Sequence, residues 1–546
     1  MKIAQAQINP ILGNFKYNCD LHLEAIEKIL SKDSDTDLII FPECSLFGYH
    51  PVDLLERSEI VDLQLMEMAR LTSLIPNGVR LLVGGITKNN VNVGKPYYNS
   101  AILLERNSVI KTFNKELLPT YDVFDEARHI EAGDLSKNIF KWKGYNILVT
   151  ICEDIWGWKN SNGSQRSIYG ANPLLKISPE NVDLVLNLSA SPFSDIKWGQ
   201  RMAVANNVVN RFECPLVYTN MVGAQDELIY DGQSFVMLPD QSLAVRALGF
   251  ESDINTFEFD SNINVERVNR EPLADKIPLK MKAICLGIKD FVRKSGFQKV
   301  HVGLSGGVDS ALVSALVSKA IGAENVVNIS LPGPFNAEDS LSWAKKQSEN
   351  IGNEFVVLPI EGIYEKILET LKSSLGDFGF GLVNENLQAR IRGMLLMAYS
   401  NLNHSLLINT SNKSELAMGY STLYGDLVGG LSPIGDLLKH EVYDMVLEVN
   451  SERELIPLDV IKRAPSAELR PNQKDQDTLP EYNLLDNSVK RLVEEIQIPS
   501  SEIDHVVIRS LMRTEFKRWQ APPVLRVSDH AFGRGRRLPI AHQYLQ

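Results

Sequence analysis

The run Leu304-Ser305-Gly306-Gly307-Val308-Asp309-Ser310 gathers residue types that can hold a phosphate. Adjacent glycines let a backbone turn tightly and present bare N–H groups to an anion. A helix starting there adds its positive end. Ser305 and Ser310 supply hydroxyl donors, and Asp309 supplies a carboxylate suited to Mg²⁺. No Gly-Lys-Ser/Thr follows at P-loop spacing, so the run suits cradling a pyrophosphate during adenylate formation better than passing on a γ-phosphate. A Gly-Gly pair alone is usually a plain strand-to-helix turn. Glycines, hydroxyls and a carboxylate converging on one helix start make that the weaker reading here.

Further along, Thr410 follows the apolar strand expected at Ser405–Asn409, where ligands sit in open α/β sheets. Glu415 is then either a second Mg²⁺ carboxylate or an ordinary first-turn acid. Arg390 and Arg392 open a helix-like run and are either a phosphate clamp or an exposed basic face.

The first half of the chain offers different chemistry. Glu43 lies in Phe41-Pro42-Glu43, Lys115 opens Lys115-Glu116-Leu117-Leu118-Pro119-Thr120-Tyr121, and Cys152 precedes Glu153-Asp154-Ile155-Trp156. A base, a cation and a thiol at strand ends are what acyl transfer to sulfur needs. Glu43 would take the thiol proton and later activate water, while Lys115 would stabilise the thiolate and the oxyanion. Taken singly, each has a structural explanation: a small buried hydrophobe, a turn residue, a solvated lysine.

The elements that must position these residues alternate short β-branched runs with longer amphipathic stretches, the pattern of an α/β protein. Strands are expected at Lys2–Ile8, Leu38–Phe41, Arg80–Ile86, Ala101–Leu104, Ile147–Ile151, Leu184–Leu188 and Leu216–Thr219, with helices at Tyr17–Leu30, Glu56–Leu74 and Lys197–Asn210. The close pair Ala101–Leu104 and Val109–Phe113 reads as a hairpin, hence a mixed sheet. From Phe250 to Pro278 the chain turns polar and reads as a connector. Beyond it, helix Leu279–Lys294, strand Lys299–Leu304, helix Asp309–Ile321, strand Asn325–Leu331 and strand Phe355–Leu358 suggest a doubly wound parallel sheet. This gives domains at 1–260 and 279–546 with a linker at 261–278. Ala464–Tyr482, rich in Pro, Asp, Gln and Lys, reads as a second mobile stretch.

With 546 residues the chain is long enough for at least two cores. Its 56 Lys and Arg against 68 Asp and Glu give a net charge of −12, which argues against a nucleic-acid partner. The five cysteines are scattered, with no C-x-x-C pair, and the nine histidines show no H-E-x-x-H spacing, so neither a disulfide framework nor a zinc site is indicated. The start turns polar too early for a signal peptide, and no apolar run approaches the roughly 20 residues that span a bilayer. The expected setting is cytoplasmic, with no membrane partner.

The Ser305–Ser310 word resembles that of the ATP pyrophosphatases of the adenine-nucleotide α-hydrolase type. Asn384–Arg392, Thr410–Glu415, Tyr424-Gly425-Asp426, Pro433–Lys439 and Ala464–Leu469 are similar, in order, to the words of the NAD synthetase family. That resemblance implies that Gly303, Leu304, Ser305, Gly306, Gly307, Val308, Asp309, Ser310 and Thr410 hold ATP. It implies Mg²⁺ on Asp309 and Glu415, and deamido-NAD on Asn386, Glu415 and Lys517. Gly333 stands where that family usually shows Ser. Met1 to about Asp260 resembles the nitrilase-type amidases, whose Glu-Lys-Cys triad matches Glu43, Lys115 and Cys152. The words F-P-E-x5-Y, K-x-x-L-P-x-Y-x-x-F-D-E and C-E-D-x-W are those of its glutaminase branch, which implies that Tyr121, Ser191 and Lys197 contact L-glutamine. Here Cys44 follows the base, where that family often has an apolar residue.

The two resemblances imply an αββα sandwich followed by a doubly wound parallel domain. They imply amidation of deamido-NAD with ATP and glutamine through an adenylate, a homo-oligomer (dimer or higher), and an ammonia channel between the active sites. Two other readings fit the residues less well: an ATP pyrophosphatase amidating another carboxylate, and an amidase fused to a nucleotide-sensing module.

Overall fold

The computed structural model describes residues 1–159, 168–260, 275–471 and 473–544, apart from the side chain of Glu338. The chain forms two compact units, one of Met1–Gln225 with Ile229–Leu273, the other of Asp226–Leu228 with Ala274–Gln546.

The first unit contains two six-stranded mixed sheets. In one the order is Asp253–Glu258, Lys2–Gln7, Leu38–Ile40, Arg80–Lys88, Tyr97–Glu105, Ser108–Asn114. In the other it is Leu243–Arg246, Phe235–Met237, Leu216–Asn220, Leu184–Ser189, Tyr145–Ile151, Ile139–Trp142. In both, the inner strands run parallel and the outer ones antiparallel, as the expected hairpin required. Alternation along each strand divides side chains between two cores. Ile3, Leu38, Ile40, Leu82, Ile147, Leu186 and Val217 fill the space between the sheets. Ala4, Ala6, Ile39 and Leu81 pack with Ile26, Ile29 and Leu71 of helices Phe15–Lys32 and Ser58–Leu74. Leu148, Val185 and Leu216 pack with Val204, Val208 and Phe212 of helix Lys197–Phe212. This is a nitrilase-like αββα sandwich.

The polar stretch after Phe250 differs from its expectation. Asp253–Glu258 is a strand, paired antiparallel with Lys2–Gln7, because Ile254 and Phe257 find apolar partners on opposite faces. The linker expected at 261–278 lies outside the described residues up to 274, and helix Lys276–Lys294 has begun before its expected end.

The second unit carries a four-stranded, all-parallel sheet in the order Glu354–Val357, Val326–Ser330, Lys299–Gly303, Ser405–Ile408. Helix Val308–Ile321 is apolar nearly all round and buried throughout most of its length, as a helix filling such a fold must be. Sequence order reverses between Lys299–Gly303 and Ser405–Ile408, so the loops beyond their carboxyl ends diverge and leave a crevice. No helix among the described residues is long and apolar enough to cross a membrane.

Candidate active sites

In the first unit Glu43, Lys115 and Cys152 come together. Glu43 lies just past Leu38–Ile40, and its loop rests on Gly84 of the neighbouring strand, where a Cβ would come 2.2 Å from the Cys44 nitrogen. Lys115 follows Ser108–Asn114 and is wholly buried, its Nζ donating to Glu43 Oε1 at 2.8 Å and Glu126 Oε1 at 2.9 Å. Asn99 Nδ2 also donates to Glu43 Oε1 at 2.8 Å, and the Ala190 N–H donates to Oε2 at 2.9 Å. Cys152 has φ +44° where strand Tyr145–Ile151 meets the 3₁₀ turn Cys152–Ile155. That left-handed backbone is strained for a non-glycine residue and needs outside support. Asp154 supplies it: Oδ2 accepts from the Ile151 N–H, while Oδ1 accepts from the N–H groups of Glu116 and Leu117, all at 2.9 Å. One carboxylate thus ties the thiol's turn to the lysine's loop, although burial pushes Asp154 up to about 7.

The charges define a division of labour. Burial and the nearby Glu43 push the Cys152 thiol up, against the pull of Lys115 and the Ala190 N–H, so the sulfur rests protonated and needs a base. Burial raises Glu43 above the usual carboxylate range, which improves it as a proton acceptor. Burial disfavours the Lys115 charge, but Glu126 and Glu43 outweigh it and hold the ammonium protonated. Tyr121, Ser191 and Lys197 line one small pocket with Cys152. Tyr121 donates to Glu153 Oε1 at 2.9 Å, and the Lys197 ammonium sits 4.1 Å from the centroid of the Trp156 ring. Asn99, Glu126 and Asp154 are not among the residues expected to form the site. Glu126 stands inside the K-x-x-L-P-x-Y-x-x-F-D-E word and Asp154 inside C-E-D-x-W, the one local signal either carries.

In the second unit a cavity of about 290 Å³ opens at the reversal point of the sheet. Gly303, Leu304, Ser305, Gly307, Val308, Asp309, Ser310, Thr410 and Glu415 all line it. Gly306 does not: with φ +83° it packs on the next helix, and a Cβ there would lie 2.4 Å from the Ser340 carbonyl oxygen. Asn386 and Lys517 also lie outside the lining; both hold the loop at 419–422, Lys517 donating to the Gly419 and Ser421 carbonyls at 2.7 Å and Thr422 donating to Asn386 at 2.8 Å. Asp309 Oδ1 accepts from Asn412 Nδ2 at 2.8 Å, and Oδ2 accepts from Lys439 Nζ at 2.5 Å; the same ammonium lies 3.6 Å from Glu415 Oε1. Burial and the Asp309 charge push Glu415 up to about 8, and Lys439 opposes them. Two carboxylates therefore face one ammonium, and their hard oxygens are of the kind that Mg²⁺ takes as ligands.

Two expectations are corrected. Arg390 and Arg392 do not open a helix but sit well inside Leu382–Asn403, and two residues apart on a helix they diverge. Arg392 lines the cavity and donates to the Leu331 carbonyl and Asn336, whereas Arg390 donates to the Leu423 carbonyl. The described residues of Ala464–Tyr482 are tied down, because the Glu468 carboxylate accepts from Asn336, Ser340 and Arg463. Gly333 leaves room for Arg392, whose Nη2 would lie 2.9 Å from a Cβ there. Lys439 and Asn412 stand inside the Pro433–Lys439 and Thr410–Glu415 words, and nothing local in the sequence singles them out.

Two family profiles divide the chain in the same way: residues 2–264 match the carbon-nitrogen hydrolases and residues 280–521 match NAD synthase. Over its length the chain is 39% identical to the glutamine-dependent NAD(+) synthetase of Synechocystis sp., covering 99% of each. The chain belongs to the glutamine-dependent NAD(+) synthetase family. The synthetase of Acinetobacter baylyi is 36% identical over 99% of this chain and 98% of its own. The structure of the Acinetobacter baumannii synthetase, in complex with ADP, is 34% identical with a TM-score of 0.77, covering 99% of this chain and 98% of that one. As a member of this family the chain is a glutamine-hydrolysing ligase that makes NAD from deamido-NAD, with ATP as a substrate.

Proposed function

We propose that the two sites divide the reaction between nitrogen release and carboxylate activation. In the first unit Glu43 takes the Cys152 proton and the thiolate attacks the carboxamide carbon of glutamine. The resulting oxyanion is stabilised by the Lys115 ammonium, protonated Glu43 passes the thiol's proton to the amide nitrogen so that ammonia leaves, and the regenerated carboxylate activates the water that hydrolyses the thioester to glutamate and returns the thiol. Tyr121, Ser191 and Lys197 hold the glutamine. In the second unit the Ser305–Ser310 loop and Thr410 hold ATP, while Asn386, Glu415 and Lys517 hold deamido-NAD. Its carboxylate is adenylated, pyrophosphate leaves, and ammonia displaces AMP to give NAD. Asp309 and Glu415 would hold Mg²⁺, which when bound screens phosphate charge.

The observation that carries this reading is the buried Glu43–Lys115 ion pair beside a strained Cys152. A plain core cysteine needs neither. The test uses a glutamine analogue bearing an electrophilic diazoketone in place of the carboxamide. Mass mapping should find the adduct on Cys152, with glutamine-dependent synthesis lost and ammonia-dependent synthesis kept. An adduct on the adjacent Cys44 instead, or none, would remove the assignment.

Homo-oligomerisation is supported by helix Leu382–Asn403, where Val383, Met394 and Met397 are exposed along one face. A monomer in sedimentation equilibrium at micromolar concentration would count against it. The five unpaired cysteines suit a cytoplasmic setting.

A further inference from the structure

Helix Lys197–Phe212 brings two cations to the glutamine pocket, four residues and so one turn apart on the same face. Lys197 lines the pocket; Arg201 lies behind it, wholly buried. The Arg201 guanidinium pairs with both oxygens of Asp231, Nη1 to Oδ2 at 2.9 Å and Nη2 to Oδ1 at 2.8 Å. Its other hydrogen bonds go to one short segment of pocket wall. Nε donates to Ser191 Oγ at 3.2 Å, and Nη2 donates to the carbonyls of Ser191 at 2.7 Å and Pro192 at 3.3 Å. Gln233 Nε2 donates to Asp231 Oδ2 at 2.6 Å and fixes the carboxylate in turn. A buried ion pair gives no large gain in stability over an apolar replacement, so convergence of its spare donors on a pocket wall asks for another account.

That account concerns the polarity of one hydroxyl. The Ser191 N–H donates to Asn220 Oδ1 at 2.9 Å, which leaves only the side chain to meet a ligand. Arginine donates and never accepts. Its Nε–H therefore occupies a lone pair of Ser191 Oγ and turns the hydroxyl proton away from the guanidinium, toward the pocket. The buried Tyr218 hydroxyl lies within reach of Ser189 and Ser191; a phenol that gives its proton to Ser191 Oγ fills the second lone pair and leaves the serine proton for the pocket. We propose that Arg201, oriented by Asp231, is a positioning residue that fixes Ser191 as a hydrogen-bond donor to an oxygen of the bound glutamine. The inference rests on the pocket being the glutamine site.

The experiment is a double-mutant cycle on the full chain, reading KM and kcat for glutamine hydrolysis in Ser191→Ala, Asp231→Asn and the double variant. Arg201→Lys, which keeps the charge but loses the fork, is measured alongside. Ammonia-dependent NAD formation, which uses the other unit's site, shows that each variant is folded. Each single variant should raise KM about tenfold with kcat within about threefold. In the Ser191→Ala background, Asp231→Asn should add less than about twofold, because the hydroxyl it orients is gone. Equal KM effects of Asp231→Asn in both backgrounds, or a loss of kcat at unchanged KM, would overturn the positioning role. Unchanged KM in Asp231→Asn overturns it too. Glutamine use surviving Cys152→Ala would instead bring down the reading of the pocket itself.

Discussion

Cys152→Ala is expected to abolish glutamine-dependent NAD formation while ammonia-dependent formation continues. The proposed nucleophile is the Cys152 sulfur, since Glu43 is held by Lys115, Asn99 and the Ala190 N–H, and without the sulfur no glutamyl thioester forms. Loss of a nucleophile acting together with a base costs on the order of 10⁴-fold or more. The fold should survive. The substitution removes one small buried atom, and the Glu43–Lys115–Glu126 ion pairs and the Asp154 bonds that hold the turn do not involve the sulfur. The proposed ammonia-dependent synthesis belongs to the second unit's cavity, lined by Asp309, Thr410 and Glu415, and none of that chemistry needs a thiol. The measurement is NAD formed from deamido-NAD with glutamine or with ammonium salt, parent and variant side by side. Unimpaired glutamine use would refute the nucleophile. Loss of both activities in a folded variant would show that the sites depend on each other beyond a shared supply of ammonia.

Asp309→Asn should cripple synthesis with either nitrogen source, by at least about 10²-fold, because metal-assisted charge stabilisation is worth several kcal/mol. The carboxylate accepts from Asn412 and Lys439 and faces the Glu415 carboxylate across the same ammonium. An amide of the same size can keep one of these bonds but must turn its NH₂ toward a donor at the other. It also removes the carboxylate charge with which Asp309 would hold Mg²⁺. Glutamine hydrolysis by the first unit should persist. Assays of NAD and pyrophosphate across a Mg²⁺ titration decide the matter: near-parent turnover at saturating Mg²⁺ would mean that Asp309 serves the fold instead.

Much of this was legible in the residues alone. Strands such as Leu184–Ser189 and helices such as Lys197–Phe212 follow from local patterns of period 2 and 3.6. The Ser305–Ser310 loop is a local device as well, since its glycines, hydroxyls and helix start are contiguous in the chain. Patterning was less useful where polar residues line a strand. Asp253–Glu258 reads as a connector because its pairing with Lys2–Gln7 comes from the other end of its unit.

What the tertiary structure decided is how distant residues act on one another. Glu43, Lys115 and Cys152 are separated by 72 and 37 positions, and nothing in the spacing brings them within reach. The two packed sheets do so: Glu43 and Lys115 follow strands of one and Cys152 a strand of the other, and the carboxylate and the ammonium are buried completely. Burial then sets their proton affinities, as it does for Glu415 opposite Lys439. A side chain's type can be read from a sequence, but its charge depends on how much water is removed and on which opposite charge takes its place. Both belong to the folded chain.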